Sequence, residues 1–264
     1  MKVPRKALEQ LLSATSREQH INGKPQKQVT GCILVMGDDR LSTTSIVKDG
    51  KTSLSYLSFK CEGDEESLPV PDIERMLGVL KYHGDYVNLS LNNGKVLVKS
   101  NKKQTTLAGG FDAKAFANSQ HTLKEWHNEA KTRAEQIDGL TYKTKDGGTI
   151  SPFFTAQIEA GELYDALRCD GMNGQKLNRY RFQVKDNTLS VSVGDPFKGQ
   201  TTTDLGEYTT DDFEVSFEGG LENIARHYRD DIYLRFLDFR EHGQGIRLLM
   251  VMGNGDWVFQ AGVL

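Results

Sequence analysis

Four pairs of adjacent acidic residues are the side chains whose type could do chemistry on a phosphodiester. Neighbouring carboxylates can hold divalent metal ions that activate a water molecule, as in metal-dependent nucleases. Each pair, however, lies at an expected turn or loop, where acidic side chains accept local backbone hydrogen bonds. We therefore favour turn formation over a nuclease site, and we predict no catalytic and no metal-binding residue. The pairs are Asp38-Asp39, Glu65-Glu66, Asp211-Asp212 and Asp230-Asp231.

The other reactive residue types are scattered along the chain. The six histidines are far apart, and His121 and His127 have a poor spacing for a shared metal on a helix. The three cysteines form no CxxC pair, which argues against a disulfide framework or a zinc site and for a reducing compartment. No GxxxxGK[ST], GxGxxG, HExxH or GxSxG motif occurs. We accordingly predict no cofactor.

The bulk composition is that of a soluble globular protein. The chain has 264 residues, of which 37% are hydrophobic and 26% charged, enough for one large or two ordinary domains. No apolar run approaches the roughly 20 residues that span a bilayer, and the first residues lack the pattern of a signal peptide. We therefore expect a cytoplasmic protein without membrane contact. The net charge of −3 excludes a uniformly basic nucleic-acid binder but permits a local basic surface.

Residues 73–100 predict a compact unit of one helix and one β-hairpin. Apolar residues at helical spacing from Ile73 to Leu80 predict the helix, and Gly84 predicts its end. Apolar and polar residues then alternate over 87–92 and again over 95–99, as in half-buried strands. Between them, Asn93-Gly94 fits a tight hairpin turn.

The same order of elements recurs elsewhere in the chain. A unit of this size cannot bury its own core, so neighbouring units must pack together. The alternative is coincidence, because a helix followed by a hairpin is common. We predict an α+β fold of two similar domains, residues 1–118 and 151–264, each with two helix-plus-β-hairpin units. The other three helical stripes are Leu8, Leu11 and Leu12; Leu163, Ala166 and Leu167; and Leu221, Ile224, Ala225 and Tyr228.

Residues 119–150 form a candidate interdomain linker that carries an inserted helix. An interrupted apolar stripe that includes Leu123, Trp126 and Ile137 predicts a helix over 120–137. Residues 144–152, "TKDGGTISP", predict a loop. We expect the apolar stripe to pack either on the protein itself or on a partner, because it is too apolar to stay in solvent.

Basic residues fall on the exposed side of every predicted helix. Projected at 100° per residue, each helix places one basic residue opposite its apolar stripe. Side by side, the four helices would form a positive band that attracts phosphate without reading sequence. The alternative is four ordinary solvated faces, since each also carries an acidic residue. The basic residues opposite the apolar stripes are Lys6, Arg75, Arg168 and Arg226, and Arg5, Lys81 and Arg229 lie on the flanks.

The pattern resembles DNA sliding clamps of the proliferating cell nuclear antigen type and, more distantly, those of T-even phages. The likeness covers nearly the whole chain except about 112–150. It includes Arg5-Lys6-Ala7-Leu8-Glu9 in the first helix and Gly161-Glu162, followed by Arg168, in the third. It also includes "VLKYHGDYVNLSL" (79–91) and the tail "FQAGVL" (259–264). Gly262 stands where the family has proline.

This resemblance implies a non-enzymatic clamp fold that closes into a homotrimeric ring. Its helices would line a hole for double-stranded DNA, and its partners would be a DNA polymerase and a clamp loader. The family's hydrophobic partner pocket maps onto Phe259, Ala261 and Gly262, although Phe259 and Val263 could instead complete the core. Two rivals stay open: a monomeric processivity factor of the same fold and a metal-dependent nuclease.

Overall fold

The chain divides into two compact units, each with a pair of helices and antiparallel sheet. Unit 1 contains Met1–Ser16, Val29–Ile46 and Ser55–Arg133, and unit 2 contains Arg17–Gln28, Val47–Leu54 and Ala134–Leu264. The predicted domain boundaries after 118 and 150 stay a prediction, because most of their surroundings lies outside the described residues. The computed structural model describes residues 1–21, 24–29, 31–47, 53–107, 137–138, 141–144, 147–170, 177 and 179–263.

In the described part of the chain, four α-helices lie where apolar residues recur at helical spacing. In α2, the Asp72 side chain accepts a hydrogen bond from the backbone N–H of Arg75 at 2.9 Å, a normal N-terminal cap. Gly220, with φ of 66°, precedes the short α4, where its positive φ suits glycine. The α-helices are α1 (Arg5–Thr15), α2 (Ile73–Leu80), α3 (Ala160–Leu167) and α4 (Leu221–Ala225), and a 3-10 helix covers Arg240–His242.

Strands make up most of the rest of the described chain. The strands after Ala134 belong to unit 2, as do β2 and nearly all of β3, and the other strands up to Leu107 lie wholly or mostly in unit 1. In chain order they are β1 (Lys2–Pro4), β2 (Arg17–Ile21), β3 (Lys24–Val29), β4 (Cys32–Gly37), β5 (Arg40–Val47), β6 (Ser53–Lys60), β7 (Glu66–Val70), β8 (Tyr86–Asn92), β9 (Lys95–Ser100), β10 (Lys103–Leu107), β11 (Ile137–Asp138), β12 (Thr141–Lys143), β13 (Thr149–Ile150), β14 (Pro152–Glu159), β15 (Arg179–Lys185), β16 (Thr188–Asp195), β17 (Gly199–Glu207), β18 (Phe213–Glu218), β19 (Asp231–Asp238), β20 (Ile246–Met252) and β21 (Trp257–Val263).

A four-stranded antiparallel sheet in unit 1 carries the predicted helix-plus-hairpin unit. Its order is β1-β8-β9-β10, with Leu89 opposite Val98. The inward side chains of β8 and β9 are almost fully buried, as are Leu8 and Leu12 of α1 and Met76 of α2. The two helices pack on each other and on this sheet. The Asn93-Gly94 turn has the positive φ angles, 47° and 74°, that its sequence predicts.

Unit 2 repeats the plan around an aromatic core. Strands run in the order β17-β16-β15-β18-β21, and β21 continues through β20 and β19 to β14. The helices α3 and α4 pack on each other. Tyr180, Phe182, Phe217 and Phe236 are fully buried, and the Phe182 and Phe236 ring centroids lie 5.8 Å apart in an edge-to-face arrangement. Such aromatic contacts bury large areas and fix the spacing of the layers.

Three details differ from the sequence-based predictions. Tyr228 lies beyond α4, which ends at Ala225, and its hydroxyl donates to Asp256 at 2.7 Å. Ile137 lies in β11 opposite Tyr142, so backbone pairing replaces the end of the predicted 120–137 helix. Thr149–Ile150 form β13 within the predicted loop. Residues 120–136 of the predicted linker helix lie outside the described residues. The sequence analysis also did not predict strands β2, β3 and β17.

The three cysteines occupy different environments. Cys32 is buried in β4, and burial raises the pKa of its thiol to about 12. Cys61 is also buried, which again raises its thiol pKa. Cys169, just after α3, is only half-buried, and its Sγ lies 3.3 Å from the carbonyl oxygen of Asp165. Only the third cysteine is therefore partly open to solvent.

Within the described part of the chain, none of the helices has the length and apolar character needed to cross a membrane.

Candidate nucleic-acid interface

Lys6 and Arg75 are exposed in the first turns of the two helices of unit 1. Lys6 is the second residue of α1, and Arg75 is the third residue of α2. The opposite sides of these helices are buried, for example at Leu8 and Met76. A positive charge near a helix N-terminus opposes the helix dipole by about 0.3–1 kcal/mol. The helix dipole therefore does not account for the basic residue at position 6.

Arg5 has a local partner in the same helix. Its Nη1 donates to the Glu9 carboxylate at 2.8 Å, and both side chains are largely covered. This pair neutralises most of the charge that Arg5 would otherwise present. Arg5 is consequently a weaker candidate for phosphate contact than its neighbour Lys6.

Lys81, Arg168 and Arg226 each occupy the C-cap position of a helix. They follow α2, α3 and α4 respectively, and all three side chains are exposed. Cations at helix C-termini interact favourably with the dipole, typically by about 0.3–1 kcal/mol. Helix stability thus gives these three residues a sufficient reason to be basic, whether or not they also bind phosphate.

Nearby charged groups affect how much positive charge the basic residues of unit 2 present. Arg168 Nε lies 2.8 Å from the Asp165 carboxylate, and both side chains are more than half exposed. An exposed pair of this kind contributes about 0–1 kcal/mol and can exchange for another anion. Arg226 and Arg229 are exposed, and His227 between them has a lowered pKa because of burial and the Arg226 charge. Unit 2 therefore keeps positive charge at the end of α4.

The helix pairing puts the predicted basic residues of each unit into one helix layer. Because α1 packs on α2, Lys6 and Arg75 belong to one helix layer, and Arg168 and Arg226 belong to the equivalent layer of unit 2. Exposed cations on a rigid layer can make loose, exchangeable phosphate contacts. Contact of these residues with DNA stays a prediction.

The predicted partner-binding tail belongs to strand β21. Phe259 is only 1% exposed, and its ring stacks on Tyr142 with centroids 5.2 Å apart. The Arg247 guanidinium lies 5.2 Å from the centre of the same ring. This burial agrees with the alternative in which Phe259 completes the core. Ala261 and Gly262 are half-buried, and their contact with a partner stays a prediction.

A close backbone contact explains the glycine at position 262. A Cβ atom there would lie 2.5 Å from the Ile246 carbonyl oxygen and 3.0 Å from Val215 Cγ2. Gly262 also pairs with Phe217 across β18 and β21. The residue that replaces the family's proline is thus part of a tightly packed sheet.

The acidic pairs lie in turns, loops and strand starts. Asp38 and Asp39 have φ angles of 52° and 54° in the β4–β5 turn. Asp212 accepts from the backbone N–H of Asp186 at 3.2 Å, and Asp231 accepts from the Gln157 amide. These contacts show local structural roles for acidic side chains. Among the residues that the structure describes, no group of three or more His, Cys, Asp or Glu could hold a metal ion.

Sequence reasoning missed a rigid loop after α2. His83 is buried, with Nδ1 2.8 Å from Ser100 Oγ and Nε2 3.0 Å from Thr105 Oγ1. These contacts tie the loop to β9 and β10, and they leave Tyr82 74% exposed. The run Tyr82-His83-Gly84 directly after α2 is the sequence feature that could have indicated this loop.

No family model matches the chain, and no curated protein matches its sequence. Solved structures of DNA polymerase III beta subunits do match its fold. They include those from Streptococcus pyogenes (TM-score 0.61, 11% identity) and Streptococcus pneumoniae (0.60, 14%). A third is from Thermotoga maritima (0.57, 13%). Each match covers 100% of this chain but only 64–65% of the neighbour, so the chain spans about two thirds of their length. The predicted sliding-clamp fold is confirmed.

Proposed function

We propose that this protein is a DNA sliding clamp, a processivity factor that surrounds duplex DNA and tethers a polymerase to it. The observation that carries the proposal is the match of the entire chain to beta sliding clamps in fold. The exposed Lys6 and Arg75, placed against their helix dipoles, supply charge that DNA binding would explain. Loose phosphate contacts would hold the duplex without fixing a sequence.

The proposed clamp acts as a ring of several copies and carries out no bond chemistry itself. A homotrimer is one closed assembly, and the comparisons do not favour it over a ring with another number of copies. The expected partners are double-stranded DNA, a polymerase and a clamp loader. The expected location is the cytoplasm or wherever the DNA is replicated. The relation to T-even phage clamps stays a prediction.

A monomeric processivity factor of the same fold is the main rival. Light scattering on a sizing column separates the two, because a ring gives a stable multiple of the 29.5 kDa chain. Electron-microscope images of the particle should then show a hole wide enough for a duplex. A monomer at micromolar concentration would refute the ring. Incubation with DNA and Mg²⁺ tests the nuclease rival, and cleavage there would refute a passive clamp.

The decisive test of function is topological. The protein is loaded with its loader onto nicked circular DNA and, separately, onto the same DNA made linear. A ring should stay on the circle and slide off the linear ends, whereas a surface binder should leave both equally. Polymerase products should lengthen on the circle only when the clamp is retained. Equal retention on circular and linear DNA would refute the clamp proposal.

The tail of β21 is the proposed partner contact. Since Phe259 is buried, the available surface there is at the half-buried Ala261 and Gly262. Ala261→Arg should weaken polymerase stimulation while the ring keeps its mass and its retention on circular DNA. Full stimulation by that variant would place the partner elsewhere.

A further inference from the structure

The four-stranded sheet of unit 1 has a second face, opposite to α1 and α2. Strand alternation sends Val87, Leu89, Val96 and Val98 into the core and their neighbours to solvent. We call the solvent side the basic sheet face. It is defined by Lys2, Tyr86, Asn88, Lys95, Lys99 and Gln104, all exposed.

This face carries positive charge without a compensating carboxylate. The sequences of β1, β8, β9 and β10 contain four lysines and no aspartate or glutamate. Three of these lysines, Lys2, Lys95 and Lys99, lie on the basic sheet face. In a chain whose net charge is −3, a carboxylate-free sheet is a local concentration of charge.

Two neighbouring strands of unit 2, β15 and β18, carry their charges differently. Across β15 and β18, Arg179 lies opposite Glu218, and Arg181 lies 3.6 Å from the Glu214 carboxylate. Opposite charges on neighbouring strands neutralise each other and stabilise the sheet. The lysines of the basic sheet face instead lie opposite amide side chains: Lys99 has Asn88 on one side and Gln104 on the other. Cross-strand pairing therefore does not account for them.

An aromatic ring lies at one end of the same face. Tyr86 is 59% exposed, although Val87 and Leu89 of the same strand are buried. Lys2 Nζ lies 5.5 Å from its ring centre, diagonally across β1 and β8. An exposed tyrosine beside lysines presents a flat surface on which a base can stack while the cation meets phosphate.

The spacing of the lysines selects an extended ligand. Lys95 and Lys99 are four residues apart on β9, about 14 Å at the rise of an antiparallel strand. An extended strand can place a separate phosphate beside each of them. The side-chain amides beside Lys99 can also donate to and accept from the edges of bases that are not paired.

We propose that the basic sheet face binds single-stranded nucleic acid. The lysines contact different phosphates along the strand, and a base stacks on Tyr86. A duplex fits this face less well, because its bases are stacked on each other and cannot reach a tyrosine on a flat sheet. This surface is separate from the helix layers of the proposed function, and its ligand is an unpaired strand.

The test measures binding of a fluorescent oligothymidine to the full chain over a range of salt concentrations. Tyr86→Leu should weaken binding roughly 5- to 150-fold, the loss expected for one stacked base. The double variant Lys95→Gln/Lys99→Gln should lower the slope of log K against log salt by about 1.4. The matched control is Lys185→Gln/Lys198→Gln, which removes the same charge from exposed positions of unit 2 and should bind as the unaltered chain does.

Several outcomes would overturn the proposal. One is an unaltered chain that does not bind the oligonucleotide at low salt. Another is a control variant that loses as much affinity as the β9 variant, which would show a nonspecific charge effect. A third concerns the variant Lys95→Gln/Lys99→Gln. If it binds the oligonucleotide as the unaltered chain does but no longer binds phosphatidylserine vesicles, the ligand of this face is an anionic membrane. Thermal melting checks that each variant is folded.

Retention on circular duplex separates this proposal from the proposed function. Variants of the basic sheet face should keep that retention and lose oligothymidine binding. Variants of Lys6 and Arg75 should reduce the salt dependence of duplex binding and keep oligothymidine binding. If the chain is not retained on circular DNA but binds oligothymidine through β9, the clamp proposal is refuted and the present proposal is supported.

Discussion

At the scale of single residues, the position of a basic side chain within its helix separates two explanations for its charge. Lys81, Arg168 and Arg226 occupy C-caps, where the helix itself favours a cation. Lys6 and Arg75 lie in first turns, where it does not. The sequence pattern placed four of these residues opposite the apolar stripes and Lys81 on a flank. It could not separate first-turn from C-cap positions, because that depends on where each helix begins and ends.

Replacing Lys6 should therefore change stability and DNA binding in opposite directions. Lys6→Gln should stabilise the fold by about 0.3–1 kcal/mol, because an unfavourable charge leaves the helix N-terminus. It should also reduce the salt dependence of duplex binding by about one unit of slope. Urea unfolding and salt titration measure the two effects. Arg226→Gln is the matched control and should lose stability, and a Lys6→Gln variant that also loses stability would contradict this account.

His83 should make stability depend on pH. Burial, and then the charge of Lys103, lower its pKa below the ordinary value of about 6.5. The unfolded chain then binds a proton before the folded one does, so the His83 contribution is complete above about pH 6.5 and declines as pH falls toward the lowered value. Urea midpoints measured from pH 8 to pH 5 should fall.

His83→Gln should flatten part of that decline, and the half-buried His227, whose pKa is also lowered, should account for another part. His242→Gln, at an exposed position, is the matched control. An identical decline in the His83→Gln variant would show that the loop contacts do not depend on a neutral imidazole.

At the scale of elements, local patterns were sufficient for some parts of the fold and insufficient for others. The helix and hairpin at 73–100 were predictable because spacing, Asn93-Gly94 and alternation all agree on one structure. Strand β17, "GQTTTDLGE", was not, because a polar strand lacks apolar alternation and is held by its pairing with β16. The end of α4 was misplaced because Tyr228 continues the helical spacing, while its hydroxyl bonds to Asp256 from outside the helix.

The β21 tail offers a direct test of sheet packing. Gly262→Ala would place a Cβ against the Ile246 carbonyl, and it should cost about 1–3 kcal/mol as the strands move apart. Gly161→Ala is the matched control, because its Cβ would meet only the flexible Glu159 side chain at 3.5 Å. In the first turn of α3 this control should be neutral or stabilising by up to about 1 kcal/mol. Chemical unfolding measures both, and equal stability of the two variants would show that β21 can shift freely.

At the scale of the whole molecule, the fold was predictable because the order of its elements repeats. Each helix-plus-hairpin unit is weakly determined alone, but four in succession restrict the possible arrangements. The number of copies in the proposed ring could not be read in the same way, because it depends on surfaces between chains. The chain covers about two thirds of each beta-subunit neighbour, so copy number cannot simply be taken over from them.

Assembly should appear as a dependence of melting temperature on protein concentration. If folded copies associate, mass action stabilises them, and the melting temperature should rise as the chain is concentrated. A lone monomer should melt at the same temperature throughout a hundredfold dilution. Parallel light scattering identifies the species at each concentration. A constant melting temperature together with a monomeric mass would exclude the ring.

The unequal burial of the three cysteines makes the native chain suitable for site-selective labelling. Cys32 is buried and, with a pKa of about 12, almost entirely protonated at neutral pH, and Cys61 is buried with a raised pKa. A brief maleimide reaction should therefore attach a fluorophore mainly to Cys169, beside the exposed Arg168 at the end of α3. Energy transfer from that dye to one on duplex DNA would report whether this helix end approaches the DNA, without any engineered residue.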